Sequence, residues 1–437
     1  MRAVLAAAVM ATVSLASSWS GLATGMMENG LTVITYEDHT APVATICVAV
    51  RTGATCETPE TNGLAHFYEH MFFKGNEAVP DQAAYNDRMR ELGIVRNGVT
   101  STESVRYYFT IPSDRLEEGM DFMYSAIATP LFDMTEMERE REVILNEYQR
   151  NTTHPYWKMW KAREQVLFSD CPWRANTIGT PEVIMSASPD VMRRFQEMYY
   201  TPDNCALIVA GDASPERVER LAEDVFGGWE PAGASHYDSL DVCIGLQRDT
   251  TVSIPAPEGI SYVSVVYPGP PIQEDPDATY AADVWGTYLG RRSGDYYRRL
   301  VTEGPFLEAS GYYYTQRYGP TVSFGGPVEP GREDEAVELL HGEIDRLCSS
   351  DYYDEGGLET ARGIMRRERL LKTEVARDIA VETLAFWWIV AGGIDYFQGY
   401  LDNIAAVELS DVEAFLDGYV CGSPSATFVL RSVDREG

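Results

Sequence analysis

Residues Gly63 to Gly75 read GLAHFYEHMFFKG, and this stretch leaves the chain the fewest choices. The chain holds six histidines in 437 residues, yet His66 and His70 stand one helical turn apart with Glu69 between them. Residues three and four apart share a helix face. A helix here therefore lines up His66, Glu69, His70 and Phe73 on one side and leaves Leu64, Phe67, Tyr68, Met71 and Phe72 to be buried. Any fold that contains it must cover the apolar side and bring another polar group to the first. Two imidazoles so spaced can reach one Zn²⁺, each at about 2.0–2.1 Å. A catalytic zinc takes a third protein ligand and keeps one position open for water, beside which Glu69 would stand as a base. The plainer alternative is a helix whose histidines only make local hydrogen bonds. In so histidine-poor a chain the metal reading is the stronger.

The third ligand must come from another element, and the richest candidate is EREREVILNEYQR. Glu140 and Glu147 are seven apart, hence on one face, while Val143 and Ile144 are expected to turn to the core. On spacing alone Glu147 is equally a solvated residue of an acid-rich helix.

Around these segments the pattern is that of an α+β protein. NGLTVITYED, APVATICVAVRTGA and SVRYYFTIP read as strands, as does NCALIVAGD. DQAAYNDRMRELG, DRLEEGMDFMYSAIATP and TEMEREREVILNEYQR read as helices, and SPDVMRRFQEMYY and SPERVERLAEDVFGGW as helices started by Ser-Pro. Residues 230–251 lose this regularity and are taken as a linker. Beyond it the element types recur, with strands in TVSIPAP, ISYVSVVYPGP, ASGYYYTQRYGPTVSFGGP and SATFVLRSV around several helices. The length suggests about two to three domains, and the recurrence a duplicated α+β unit. The domains expected are a catalytic half at 26–229 and a homologous half at 252–437, each a mixed, largely antiparallel sheet packed against helices.

Residues 1–25 have one Arg, an apolar run and then small residues, the layout of a secretory signal peptide, with Ala16, Ser18 or Ala23 as the last residue before the cut. Export to a periplasm or outside the cell is expected, with no stable membrane insertion once the signal is removed, since no internal stretch is long and apolar enough to span a bilayer. Seven cysteines show no CxxC, and Cys47 reads as core. The balance of 35 basic to 67 acidic residues, net −32, repels nucleic acid, so no such partner is expected; it would draw in basic peptides, although adaptation to salt or simple solubility is the commoner reason for such acidity.

His-x-x-Glu-His, with EREREVILNE placing Glu147 77 positions after His70, resembles the pitrilysin (insulinase) family of zinc peptidases, the inverzincins, and within it the bacterial processing-peptidase-like branch. The similarity extends through NGLTVITYEDHTAPV, NTIGTPEVI, YYTPDNCALIVAGD and VFGGW. It implies two halves facing each other around a chamber and a metalloendopeptidase acting on peptides or unfolded polypeptides. It also implies Zn²⁺ on His66, His70 and Glu147, Glu69 as the base that activates a zinc-bound water, and Glu140 orienting a ligand histidine. RNGVTSTESVRYYFTIP resembles the family's Asn-Ala-x-Thr strand, so that Asn97, Gly98, Val99 and Thr100 would form an edge that pairs with the peptide main chain.

Two departures qualify this expectation. Active relatives carry an Arg and a Tyr seven apart in the second half, and here those positions align with Val301 and Glu308. Either a homologous partner subunit bearing the Arg–Tyr pair completes the site in a heterodimer, which is the expectation preferred, or the chain works alone, weakly or with another donor. Cys171-Pro-Trp also replaces a more usual His-Pro-Tyr. The alternative function is a non-catalytic assembly or chaperone-like subunit that keeps the fold. A purely structural zinc would need four ligands, and three are evident.

Overall fold

The computed structural model describes residues 19–233, 235–241, 245–372 and 374–433. Alternating β-branched and apolar residues build a first sheet from β1 (Leu22–Met26), β2 (Thr32–Glu37), β3 (Val43–Val50), β4 (Val95–Thr100), β5 (Val105–Pro112) and β6 (Cys205–Gly211), in the order β1-β2-β6-β3-β5-β4. A second sheet takes β7 (Thr250–Ala256), β8 (Tyr262–Pro268), β9 (Ser310–Tyr314), β10 (Thr321–Pro327) and β11 (Ala426–Ser432), in the order β7-β11-β8-β10-β9. With β1 set aside, both sheets run first, fifth, second, fourth, third, and in both only the first and fifth strands pair in parallel. The two halves share one α+β topology.

The helices that matter to the site are α1 (Leu64–Phe72), α2 (Gln82–Glu91), α3 (Leu116–Ala128), α4 (Met134–Thr152) and α5 (Trp157–Leu167). On one face of the first sheet, Gly119 of α3 sits against Ile46 and Ile111, and Phe72 of α1 stacks on Tyr107 at 4.2 Å. Successive strand residues point to opposite faces. Cys47 and Arg106 therefore look the other way, and Arg106 donates to the Val381 carbonyl at 2.9 Å. That far face is covered by the helix Asp378–Val390, which belongs to the second half. The debt runs in both directions: Met159 and Leu167 of α5, from the first half, bury themselves against Ile254, Val266, Phe428 and Leu430 of the second sheet. Each sheet thus owes one of its two layers to the other half.

Further bonds tie the halves. Glu103, in the turn between β4 and β5, accepts from the backbone N–H groups of Arg317 and Tyr318, both at 2.8 Å, and of Gly319 at 3.2 Å. Within the expected linker Tyr237 is fully buried and Asp238 pairs with Arg317 at 2.7 Å. Strand β7 begins at Thr250, one residue before that linker's expected end. Cys348 and Cys421 form a disulfide, and Cys47 lies in the core.

The expected signal segment lies outside the described residues up to residue 18. Trp19 is buried with its ring 4.6 Å from that of Phe397, and Leu22–Gly25 pairs with β2, so the last part of that segment is built into the first sheet. No helix among the described residues is by itself long and apolar enough to cross a membrane.

Candidate metal centre

Helix α1 is placed from its N-terminus. Gly63 precedes it at φ 105°, and a Cβ there would meet the Gly179 backbone at 2.8 Å, so the helix start is pressed against the loop that follows Asn176. The Glu57 carboxylate accepts from Gly63 N at 2.7 Å, Ala65 N at 2.8 Å and Asn62 Nδ2 at 2.9 Å. Its oxygens answer the unpaired N–H groups of the first turn. Burial nonetheless pushes its pKa up to about 7, against the pull of those hydrogen bonds. Asn62 and Asn176 clasp each other, and Trp173 donates to the Glu57 carbonyl at 2.8 Å, which places the Cys171-Pro-Trp departure beside the helix start. Glu57, Asn62 and Asn176 were not singled out from the sequence. The acid shortly before a helix start was the signal that could have found Glu57.

From this start the apolar side, Leu64, Phe67, Tyr68, Met71 and Phe72, goes into the core. The other side turns to α4. There the buried residues are Met137, Glu140 and Ile144, a stripe that continues to the half-buried Glu147. Val143 was expected in the core and is instead 47% exposed, because it lies at the edge of that stripe, on the side away from Ile144.

Three ligand atoms converge. His66 Nε2 and His70 Nε2 are 3.3 Å apart, and Glu147 Oε2 is 3.8 Å from each. Ligands of a tetrahedral zinc, each at about 2.0–2.1 Å, stand roughly 3.3–3.4 Å from one another. His70 Nδ1 meets Glu140 Oε2 at 2.9 Å, and the other Glu140 oxygen holds Lys74 Nζ at 2.6 Å. That bond puts the His70 proton on Nδ1 and leaves the Nε2 lone pair facing its neighbours. Burial and the nearby His70 push the His66 pKa down to about 3, which favours its neutral form. Two imidazole nitrogens and a carboxylate oxygen gathered this closely could hold a metal ion, and this donor set fits zinc. Among the described residues the group has three members.

Glu69 does not join the trio. Its Oε2 accepts from Thr100 Oγ1 at 2.5 Å, and burial raises its pKa against that bond. The sequence-singled Asn97, Gly98, Val99 and Thr100 all lie on β4, which pairs with β5 on one side and ends the sheet on the other. Val301 is half-buried and Glu308 exposed, while Arg299 holds Glu343 at 2.7 Å and Arg298 holds Asp295 and Glu303.

Comparison with known proteins now bears on this geometry. The family described as "Insulinase (Peptidase family M16)" matches residues 32–180, which include every residue of the centre, and "Peptidase M16 inactive domain" matches residues 186–364. The chain belongs to the insulinase family of peptidases, M16. The M16 chain is 29% identical over 208 residues to "Uncharacterized zinc protease YmxG" of Bacillus subtilis (strain 168), covering 47% of this chain and 50% of that protein. It is 30% identical over 200 residues to "Mitochondrial-processing peptidase subunit beta" of Lentinula edodes, covering 46% and 43%. It therefore spans about half the length of the curated relatives it matches. Among solved structures, a protease from Helicobacter pylori superposes with a TM-score of 0.83 at 18% identity, covering 94% of this chain and 99% of that one. A Pseudomonas fluorescens structure titled as a peptidase M16 inactive domain gives the same TM-score at 13% identity, over 95% and 99%. The periplasmic protease PqqL of Escherichia coli gives 0.77 at 16% identity, over 96% of this chain and 49% of its own. These M16 likenesses show the fold, and the homologues named as zinc proteases support a zinc metallopeptidase.

Proposed function

We propose that this chain is an exported zinc endopeptidase that hydrolyses peptides or unfolded polypeptides. The observation that carries the reading is the meeting of His66 Nε2, His70 Nε2 and Glu147 Oε2 within 3.8 Å, with Glu69 on the same helix. Zinc, when bound, would polarise the peptide carbonyl and make a coordinated water acidic. His66, His70 and Glu147 hold it, and Glu140 keeps His70 in the tautomer that binds. Glu69 takes the proton from the attacking water and returns it to the leaving amine. The open edge of β4, from Asn97 to Thr100, pairs with the peptide main chain.

The site is completed in a heterodimer by a homologous subunit that supplies the Arg–Tyr pair. Support comes from Val301 and Glu308 at the aligned positions, from the half-length match to PqqL, and from a relative named as a processing-peptidase subunit. The partner would also furnish the facing wall of a chamber. Export is supported by the Arg and apolar run within residues 1–18 and by the periplasmic neighbour, with the cut placed at Ala16 or Ser18 because Leu22–Met26 pairs in the first sheet. A non-catalytic subunit is the second reading, favoured by the equal likeness to a structure titled as an inactive domain.

Hydrolysis of a mixed quenched-fluorescent peptide library separates the two. Glu69→Gln is expected to lower turnover about 10²–10⁴-fold with zinc content unchanged. A zinc-loaded parent that cleaves nothing, alone or with a homologous Arg–Tyr subunit added, would leave the non-catalytic reading standing.

A further inference from the structure

Glu69 is held by a strand, and the residues that hold it have no role in the mechanism above beyond their main chain. Thr100 and Gly98 are two apart on β4, so both face the same side of the sheet. The Thr100 hydroxyl donates to Glu69 Oε2 at 2.5 Å. Gly98 is buried, and a Cβ built on it would stand 2.6 Å from Glu69 Cγ and 2.9 Å from both Cδ and Oε1. The carboxylate lies flat in the space that any side chain at residue 98 would fill. The similar strand of the family has Ala at this place, and this chain has Gly.

We infer that Thr100 and Gly98 are positioning residues for Glu69: the hydroxyl fixes the carboxylate, and the bare backbone at 98 makes its seat. The inference rests on Glu69 being the base. Its consequence is a fixed register. One strand both seats the base, through its face, and presents the open edge proposed to pair with the peptide. A peptide laid along that edge has its carbonyls placed relative to Glu69 without any contact to its side chains, so the chain selects an extended main chain rather than a sequence. A Gly at 98 brings the carboxylate closer to the strand than an Ala would allow.

Thr100→Val, Thr100→Ser and Gly98→Ala, made in the full chain beside Glu69→Gln, test this. With the peptide library as substrate, and the Arg–Tyr subunit added if the chain needs it, Thr100→Val is expected to lower kcat about 10–100-fold. KM and bound zinc stay at the parent's values, and Thr100→Ser restores the rate. A Thr100→Val chain with the parent's kcat, or with its whole loss in KM, overturns the inference. It leaves the base reading untouched, since that reading is decided by Glu69→Gln. Crystal structures of the metal-free variants give a second answer that needs no turnover. The Glu69 carboxylate is expected to leave β4 in both Thr100→Val and Gly98→Ala, with His66 and His70 in place. A Glu69 that keeps its seat in Thr100→Val overturns the inference whatever the kinetics.

Discussion

Glu140 shows how much a single carboxylate can carry. One oxygen meets His70 Nδ1 and the other Lys74 Nζ, and the side chain is almost wholly buried. Removing the charge by Glu140→Gln keeps one accepting oxygen and leaves the other partner facing a donor. Glu140→Gln is expected to weaken zinc binding about 10–100-fold, read by competition with a chromogenic chelator, while the metal-free fold persists. An unchanged affinity would relegate Glu140 to holding Lys74. At this scale the sequence was most informative where spacing dictates direction. His66 and His70 share a face because they are one turn apart, and Glu140 and Glu147 because they are two turns apart. It was silent on Glu57, which folding brings to the first turn of α1, and it marked Thr100 only for its main-chain edge, not for the bond its hydroxyl makes to Glu69. Val143 was misplaced because an apolar residue near a stripe looks like a member of it.

Among elements, strands that alternate and helices with one apolar side were legible, and so was the repeated order of the halves. The helix Asp378–Val390 was not. It reads DIAVETLAFWWIV, nearly apolar all round, because sheet and helices enclose it, and a buried helix has no amphipathic period to show. Helix α5 was missed for the opposite reason. Its polar and aromatic residues conceal the few, Met159 and Leu167, that seal the second sheet. The exchange of these two helices makes a strong prediction. Residues 19–229 and 252–433, produced as separate chains, are each expected to stay unfolded or aggregate, and to fold together when co-expressed. A half that is soluble alone and unfolds cooperatively by near-UV circular dichroism would contradict it.

For the molecule as a whole, Glu103 is the joint to watch. Its carboxylate is fully buried and bound by three N–H groups of the other half, and burial pushes its pKa up to about 7. An unfolded Glu titrates near ~4.3. Between these values the native chain keeps a proton that the unfolded chain has lost, so stability falls as pH rises through the window. Glu57, also pushed up to about 7, works in the same direction. Glu103→Gln should therefore flatten the decline in urea midpoint between about pH 5 and about pH 7.5, by up to roughly 3 kcal/mol of stability. An unaltered slope would show that the joint keeps its proton state on unfolding.

The exchanged helices also set an order of events during synthesis. The first sheet, with His66, His70 and Glu147, is encoded before residue 212, yet one of its faces stays bare until Val390 has emerged from the ribosome. Until Val390 exists, the nascent chain has no finished layer on which to lock. A chain threaded through a secretion channel from its N-terminus would thus remain pliable through most of its passage, and the donor trio would close only near the end.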